Sequence, residues 1–336
     1  MSTDMTREIT FEFVRVTEAA ALKASRWMGR GDKNGADKAA TDAMRGMLDL
    51  VNINGKVVIG EGEKDEAPML YIGERVGGGG IHDARVDIAV DPLDGTTLTS
   101  KGLPGAISVL AAGNAGTLTA LPSFYVDKIA VGPAAKGCID LNDSVRNNLK
   151  RVAKALDFQI GELTVVMLDR PRHQKLIGQV RQTGARVKLI SDGDVDGAIS
   201  TAITSSGSNI LMGVGGAPEA VLAAAALKCL GGEMQVKIWP RDEDEKKKLA
   251  DAGYKKKELD FVYTLDDLCK GDSVIFSATG VTGGDFLDAV LFEGDTATTH
   301  SVVMRARTRT VRYIKAVHQL KIKTVPSRGE NREVGI

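Results

Sequence analysis

The alternation of apolar runs with helical patterns in the second half of the chain limits the fold more than any other feature. Three short apolar runs occupy residues 163–168, 187–190 and 210–214, and each is followed by a helical pattern. Strand–helix alternation of this kind predicts a parallel sheet covered by helices. We therefore predict an α/β fold whose second half is a parallel αβ layer.

Chain length predicts more than one domain. The 336 residues exceed the size at which a single hydrophobic core stops growing. We place the boundary between an N-terminal domain, residues 1–160, and a C-terminal domain, residues 161–336. The last strand-like runs, from Ser301 onward, fit either domain, and the pattern leaves their membership open.

Charge and composition exclude several classes of partner. Lys and Arg together number 44 and are balanced by 44 Asp and Glu, and aromatic residues make up only 4%. A balanced charge gives no electrostatic reason to expect nucleic acid or an anionic membrane. The chain has no apolar run of membrane-spanning length, its first residues are polar, and its three cysteines are widely spaced. These features predict a cytoplasmic protein.

Acidic side chains follow two predicted strands of the first half. Residues 57–59 lead into Gly60-Glu61-Gly62-Glu63, and residues 86–90 lead into Asp91-Pro92-Leu93-Asp94-Gly95-Thr96. Hard divalent cations bind several oxygen ligands, mainly carboxylates. Asp94-Gly95 alone is also typical of an ordinary turn, and Asp91 of a helix cap. The two strand-end acidic segments together favour a metal site.

Three loops of the second half carry polar residues suited to a phosphorylated ligand. They are residues 169–173, 191–194 and 213–219, and each follows a predicted parallel strand. Loops at the carboxyl edge of such a sheet meet where ligands bind. Arginine forks match phosphate geometry, although Arg170 and Arg172 alone are equally typical of a protein surface. His173 is interpreted as the start of a helix, without a chemical role.

A family resemblance adds to these observations. Asp-Pro-x-Asp-Gly-Thr resembles the signature of the lithium-sensitive, magnesium-dependent phosphatase superfamily. The wider pattern is similar to class II (GlpX-type) bacterial fructose-1,6-bisphosphatase over roughly residues 7 to 320. The segments that carry this similarity are residues 27–34, 58–63, 67–74, 170–173, 213–219 and 275–280.

The resemblance implies a fold and a reaction. The fold is a two-domain layered αβαβα sandwich of the sugar-phosphatase (inositol monophosphatase-like) type, with a metal and phosphate domain followed by a substrate domain. The reaction is hydrolysis of the 1-phosphate of fructose 1,6-bisphosphate to fructose 6-phosphate, a step of gluconeogenesis. Mg²⁺ or Mn²⁺ is the implied cofactor, a sugar bisphosphate the ligand, and a homodimer or homotetramer the assembly.

The resemblance also implies roles for individual residues. The implied metal ligands are Asp37, Glu61, Asp91, Asp94 and Glu219, the last supplied by the second domain. The implied substrate contacts are Lys33, Asp94, Gly95, Thr96, Tyr125, Arg170, Pro171, Arg172, Asp192, Gly193, Asp194 and Gly216. The implied catalytic residues are Thr96, Asp91 and Asp94. Many class II enzymes have Glu in place of Asp94, and some have Lys in place of Arg170.

Several alternatives stay open at this point. The same chemistry could serve sedoheptulose 1,7-bisphosphate, both bisphosphates or an inositol phosphate, because the reacting ends are alike. A non-catalytic metal or sugar-phosphate sensor would need the same ligands without a positioned nucleophile. Either a water molecule oriented by Thr96 or the Thr96 hydroxyl itself could attack phosphorus.

Overall fold

The structure is a computed structural model that describes residues 9–62, 69–80, 85–325 and 334–335. Two predicted features lie outside the described residues. They are Glu63, the second acid of the first predicted metal loop, and Ala67-Pro68, the start of the segment 67–74 that carries part of the family resemblance. The helices are α1 (Thr10–Ser25), α2 (Lys33–Leu48), α3 (Thr96–Lys101), α4 (Val145–Leu156), α5 (Gln174–Gln182), α6 (Asp194–Ser200), α7 (Ala217–Leu230), α8 (Glu243–Asp251), α9 (Lys256–Leu259) and α10 (Leu265–Leu268). The strands are β1 (Asn54–Ile59), β2 (Arg75–Val76), β3 (Arg85–Asp94), β4 (Ile107–Asn114), β5 (Tyr125–Val131), β6 (Thr164–Leu168), β7 (Arg186–Ile190), β8 (Ile210–Gly216), β9 (Glu233–Ile238), β10 (Tyr263–Thr264), β11 (Ile275–Gly280), β12 (Leu291–Glu293), β13 (Thr296–Arg305), β14 (Thr310–Gln319), β15 (Thr324–Val325) and β16 (Val334–Gly335).

The chain forms two compact units. The first unit comprises Met1–Leu118 with Gly271–Ile336, and the second comprises Thr119–Lys270. The predicted boundary after residue 160 is therefore not where the units divide. The cause is strand pairing, because β5 pairs with β8 and β9 whereas β11 returns to pair with β4 and β13. The strands after Ser301, whose membership the sequence left open, belong to the first unit.

The first unit is built on an eight-stranded sheet. Its order is β12-β13-β11-β4-β3-β1-β2, and β14 pairs with β13. Only β1 and β3 are parallel neighbours in it; the other described pairs are antiparallel. Helices α1 and α2 pack on each other, and α1 also packs on β11 and β13. Their buried side chains, including Phe13, Leu22 and Met44, join Ile88 and Leu110 of the sheet in one core.

The second unit is built on a mixed six-stranded sheet of order β10-β9-β5-β8-β6-β7. The predicted parallel arrangement is confirmed for β6, β7 and β8. It is wrong for the whole sheet, because β5 lies antiparallel between β8 and β9 and β10 is antiparallel to β9. Strand β9 therefore runs in the same direction as β8. The charged residues Asp127 and Lys128 interrupt β5, so its sequence did not show an apolar run.

Helices cover the sheet of the second unit. Leu149 and Val152 of α4 and Ile177 and Val180 of α5 share one core with residues of β5, β6 and β8. The charged segment 241–260 forms the two helices α8 and α9, between which the chain turns at Gly253 with φ of 94°. Within the described ranges no helix has the length and apolarity needed to cross a membrane. Sheets combined with helices in both units confirm the α/β class.

Candidate functional site

The acidic turn of the first unit lies at the carboxyl end of β3. The pairing of β3 with β4 shifts register between Asp91 and Asp94, so the strand bulges where these acids stand. Asp91 Oδ1 accepts a hydrogen bond from Leu93 N–H at 3.0 Å. Gly95 has φ of 101°, and a Cβ there would lie 3.1 Å from Ala106 Cα, so the turn requires glycine.

The turn contains both buried and partly accessible groups. Asp94 is only 4% exposed, whereas Thr96 is partly accessible and opens helix α3. The Thr99 N–H donates to Gly95 O at 2.9 Å and closes the first helical turn. Strand, turn and helix start thus follow one another directly along the chain. It presents a hydroxyl two residues after a buried carboxyl group.

Lys33 and Asp37 occupy the first two turns of helix α2. The Asp32 carboxylate caps this helix by accepting from Gly35 N–H at 2.9 Å, as is usual for an N-cap aspartate. Lys33 is exposed and Asp37 is partly buried. Burial raises the pKa of the Asp37 carboxyl group. A cation beside Asp37 would offset that cost of desolvation.

The Glu61 loop continues β1. Glu61 N–H donates to Leu70 O at 3.0 Å, and Ile72 N–H donates to Gly62 O at 2.9 Å. These two bonds fold residues 69–74 back along the strand end. A Cβ on Gly60 would lie only 1.9 Å from Leu70 O, so the close approach of the two segments depends on glycine.

In the second unit, the loops after β6, β7 and β8 meet at one edge of the sheet, as predicted. Asp169 N–H donates to Ile190 O at 2.8 Å, which joins the first two loops. Arg172 donates with Nε at 3.2 Å and with a terminal nitrogen at 2.8 Å to Val214 O, which joins the first loop to β8. Arg170 donates to Asp169 O at 3.1 Å.

His173 links the same strands and does more than precede helix α5. It is 2% exposed; its Nδ1 lies 2.7 Å from Leu168 O, and its Nε2 accepts from Val214 N–H at 2.8 Å. The ring is therefore a neutral imidazole with its proton on Nδ1. Burial lowers the pKa of His173, which favours this neutral form. A Cβ on Gly213 would stand 2.9 Å from Nε2, so the ring packs on a bare glycine.

Tyr125 lies beside Arg172. Tyr125 begins β5 and pairs with Gly216 of β8. The Arg172 guanidinium carbon stands 4.8 Å from the centre of the Tyr125 ring, and Trp239 meets that ring edge-on with centroids 6.3 Å apart. Stacking and the bonds to Val214 O hold the arginine fork in one orientation.

Lys128 of β5 also contributes to this site, although the sequence pattern did not single it out. Lys128 Nζ lies 2.5 Å from Asp194 Oδ2, and both side chains are almost fully buried. Burial, with a smaller contribution from Asp194, raises the pKa of Glu219 to about 7, while Lys128 opposes the rise. The period-two spacing of Val126, Lys128 and Ala130 was the available signal, since it puts Lys128 on a buried face.

Glycines make room for these acids. A Cβ on Gly215 would lie 2.0 Å from Asp194 Oδ2, and a Cβ on Gly216 would lie 1.8 Å from Glu219 Oε2. Gly193, with φ of 77°, provides the left-handed turn into α6. The predicted residues Asp192, Gly193 and Asp194 therefore form the entry to that helix, while Pro171 opens a single 3₁₀ turn before α5.

The predicted metal ligands are divided between the units. Asp37, Glu61, Asp91 and Asp94 lie in the first unit and Glu219 lies in the second. In the part of the chain that is described, no three His, Cys, Asp or Glu side chains stand close enough together to hold a metal ion. The chemistry of the donor set fits a hard divalent cation. Glu219 Oε2 supports that fit, because it is buried with no hydrogen-bond partner among the described residues.

Known proteins resemble this chain over nearly its whole length. Residues 7–318 match the family described as bacterial fructose-1,6-bisphosphatase, glpX-encoded. The class 2 fructose-1,6-bisphosphatase of Haemophilus influenzae is 46% identical over 326 residues, which cover 94% of this chain and 97% of that protein. Fructose-1,6-bisphosphatase 1 class 2 of Escherichia coli K12 is 46% identical over 329 residues, or 95% and 97% of the two chains. The chain therefore belongs to the family of glpX-encoded bacterial fructose-1,6-bisphosphatases.

Proposed function

We propose that this chain hydrolyses the 1-phosphate of fructose 1,6-bisphosphate, giving fructose 6-phosphate and inorganic phosphate. The observation that carries the proposal is the family match over residues 7–318, which includes both the acidic turn and the loops at residues 169–173, 191–194 and 213–219. An enzyme of this kind is a phosphoric monoester hydrolase. The proposal includes a cytoplasmic location and a homodimeric or homotetrameric state.

The acids would hold a divalent cation, Mg²⁺ or Mn²⁺. The residues proposed as ligands are Asp37, Glu61, Asp91, Asp94 and Glu219. When bound, the cation supplies Lewis-acid stabilisation of phosphoryl charge and lowers the pKa of water. The raised pKa of Glu219 supports its role, because a cation stabilises the charged form that burial disfavours.

Thr96 is the proposed residue at the reacting phosphorus. Its hydroxyl follows Asp91 and Asp94 at the start of α3, and a neighbouring carboxylate can accept its proton. In one route the hydroxyl orients the attacking water; in the other it attacks phosphorus itself. In both routes the bond between phosphorus and the sugar oxygen breaks, and that oxygen takes up a proton. In the second route water then hydrolyses the phosphothreonine, which releases inorganic phosphate and restores the Thr96 hydroxyl. Lys33 is proposed to contact the same phosphate.

The second unit is proposed to bind the rest of the sugar phosphate. Arg172 uses two of its five N–H groups on Val214 O, so the others can face a phosphate in fixed orientation. Arg170 adds positive charge, and Tyr125 supports the fork. Asp192 and Asp194 are proposed to accept hydrogen bonds from sugar hydroxyls, and Gly193 and Gly216 to contact the ligand through their backbone.

The alternatives from the sequence are less well supported. Sedoheptulose 1,7-bisphosphatase or dual activity is not favoured by relatives named fructose-1,6-bisphosphatase. A non-catalytic sensor is not favoured either, since those relatives are named as enzymes. An inositol phosphate as substrate has no support from these names.

The test is phosphate release from fructose 1,6-bisphosphate, sedoheptulose 1,7-bisphosphate and inositol phosphate, with Mg²⁺, Mn²⁺ or a chelator. We expect metal-dependent release that is fastest with fructose 1,6-bisphosphate. Thr96→Ala should abolish turnover and leave the fold intact by circular dichroism. The matched control is Thr308→Ala, at an exposed threonine, which should retain full activity. Near-normal turnover by the Thr96→Ala protein would refute the assignment of Thr96.

A further inference from the structure

A buried ion pair connects helix α2 with the segment that folds back on the Glu61 loop. Arg45 Nε donates to Glu74 Oε1 at 2.6 Å, and the two side chains are 1% and 5% exposed. Arg45 also pairs with Asp49 at 2.5 Å. An ion pair so deeply buried is poor evidence of added stability, because desolvation costs about as much as the attraction gains. The position of this ion pair relative to Glu61 suggests a role other than stability.

The second oxygen of Glu74 continues the chain of contacts toward Glu61. Glu74 Oε2 accepts a hydrogen bond from Leu70 N–H. Leu70 O in turn accepts from Glu61 N–H at 3.0 Å. Glu74 therefore holds the N–H of Leu70, and the carbonyl of the same residue holds the Glu61 N–H. Arg45 stands on the same helix as Asp37, about two turns further along.

Leu70 is held in an unfavourable backbone conformation. Its φ is 55°, a left-handed value that a branched side chain rarely adopts and that costs about 1–3 kcal/mol in general. Its side chain is fully buried. The same peptide faces Gly60, where a Cβ would approach Leu70 O to 1.9 Å. A strained residue kept in place by a buried charge pair indicates that the exact position of this peptide matters.

We propose that Glu74, with its charge balanced by Arg45, is a positioning residue: it fixes Leu70, and through it the Glu61 backbone, so that the Glu61 carboxylate is pre-set for a divalent cation. This inference rests on the proposed function, in which Glu61 is a metal ligand. Outer partners that orient a ligand typically change metal affinity by 10–100-fold when they are removed.

Two neutral double variants separate positioning from charge. Arg45→Met with Glu74→Gln removes the charges but keeps a side-chain oxygen for Leu70 N–H. Arg45→Met with Glu74→Met removes the charges and that oxygen. Replacing both members of a buried pair avoids leaving one uncompensated charge. The control is Arg151→Met, which breaks the Arg151–Asp143 pair of the second unit.

Mn²⁺ affinity is measured by electron paramagnetic resonance of the free ion, without substrate, and exchange of the Glu61 amide is followed by mass spectrometry. We expect the Gln double variant and the Arg151→Met control to bind Mn²⁺ like the wild type. The Met double variant should bind roughly 10–100-fold more weakly and exchange the Glu61 amide faster.

Equal affinity in the wild type and both double variants would overturn the proposal. Equal weakening in both would overturn it too, because the loss would then follow charge and not the bond to Leu70. A wild type without measurable Mn²⁺ affinity would overturn it together with Glu61 as a ligand. Failure of the proposed function gives a different result: a wild type that binds Mn²⁺ with the expected variant pattern but releases no phosphate from fructose 1,6-bisphosphate.

Discussion

Acid should weaken the first unit through His318, a buried histidine on β14. Its side chain is 7% exposed; Nε2 lies 2.8 Å from Thr299 Oγ1 and Nδ1 lies 2.7 Å from Lys323 Nζ. Burial, followed by the charge of Lys323, lowers the pKa of His318 from 6.5 to about 4. The lysine ammonium needs a neutral ring nitrogen as its acceptor, so protonation of the ring breaks this contact.

The sign and size of the effect follow from the two pKa values. Above pH 6.5 the ring is neutral in the folded and unfolded chains, so His318 adds no pH dependence. Below it the unfolded chain binds a proton that the folded chain excludes, and stability falls until the pH reaches about 4. Each pH unit corresponds to about 1.4 kcal/mol. Between pH 8 and pH 5 the loss amounts to about 2 kcal/mol.

The perturbation is His318→Gln, compared with the wild type by urea unfolding from pH 8 to pH 5. Trp239→Phe is introduced in both proteins, so that fluorescence comes from Trp27, which packs on the core of the first unit. The unfolding free energies at pH 8 serve as the internal control, because at that pH the two proteins differ only in how the side chain at position 318 packs. Glu18, 4.0 Å from the ring, has a raised pKa and works in the opposite direction in both proteins.

We expect the stability of the His318→Gln protein relative to the wild type to rise by about 2 kcal/mol between pH 8 and pH 5. The reasoning about His318 is refuted if the difference in unfolding free energy between the two proteins stays constant over that range.

Two further predictions concern the second unit. Lys128→Met leaves Asp194 and Glu219 buried without their cation, so it should lower the unfolding free energy near neutral pH by about 3–5 kcal/mol. This loss of stability should be smaller at pH 5, because Glu219, with its pKa of about 7, is protonated there. An equal loss at both pH values, followed by Trp239 fluorescence, would contradict this. Gly213→Ala places a methyl group against the His173 ring and should raise KM for fructose 1,6-bisphosphate several-fold with little change in kcat, measured by phosphate release. An unchanged KM would show that the position of the His173 ring does not affect substrate binding.

Elements with a regular apolar pattern were predictable from the sequence. Strands β6, β7 and β8 and the segments after them follow from alternation alone, because each run is mainly apolar and is followed by polar residues or by glycines. The turn from Asp91 to Thr96 was predictable for a similar reason: a largely apolar strand, interrupted only by Asp87 within residues 86–90, ends there in acids and a glycine.

Features that depend on distant pairing were not predictable. Strand β5 was missed because Asp127 and Lys128 break its apolar run. The burial of Lys128 and the partial burial of Asp127 become visible only once β8 and β9 lie on either side. The return of β11 to the first sheet has no local signal either. Arg45 and Glu74 are 29 residues apart, and nothing in their own surroundings in the sequence indicates that they pair.

The interrupted first unit has a consequence for synthesis of the chain. All residues of strand β4 except the last are buried. This strand cannot pair with β11 until the ribosome has synthesised the whole second unit. At 5–20 residues per second the ribosome needs roughly 8–30 s for that stretch, and an apolar strand edge stays unpaired meanwhile. The second unit has all its strands contiguous and can fold first. A chain truncated after Lys270 should therefore aggregate through β4, whereas a fragment of Thr119–Lys270 should fold alone.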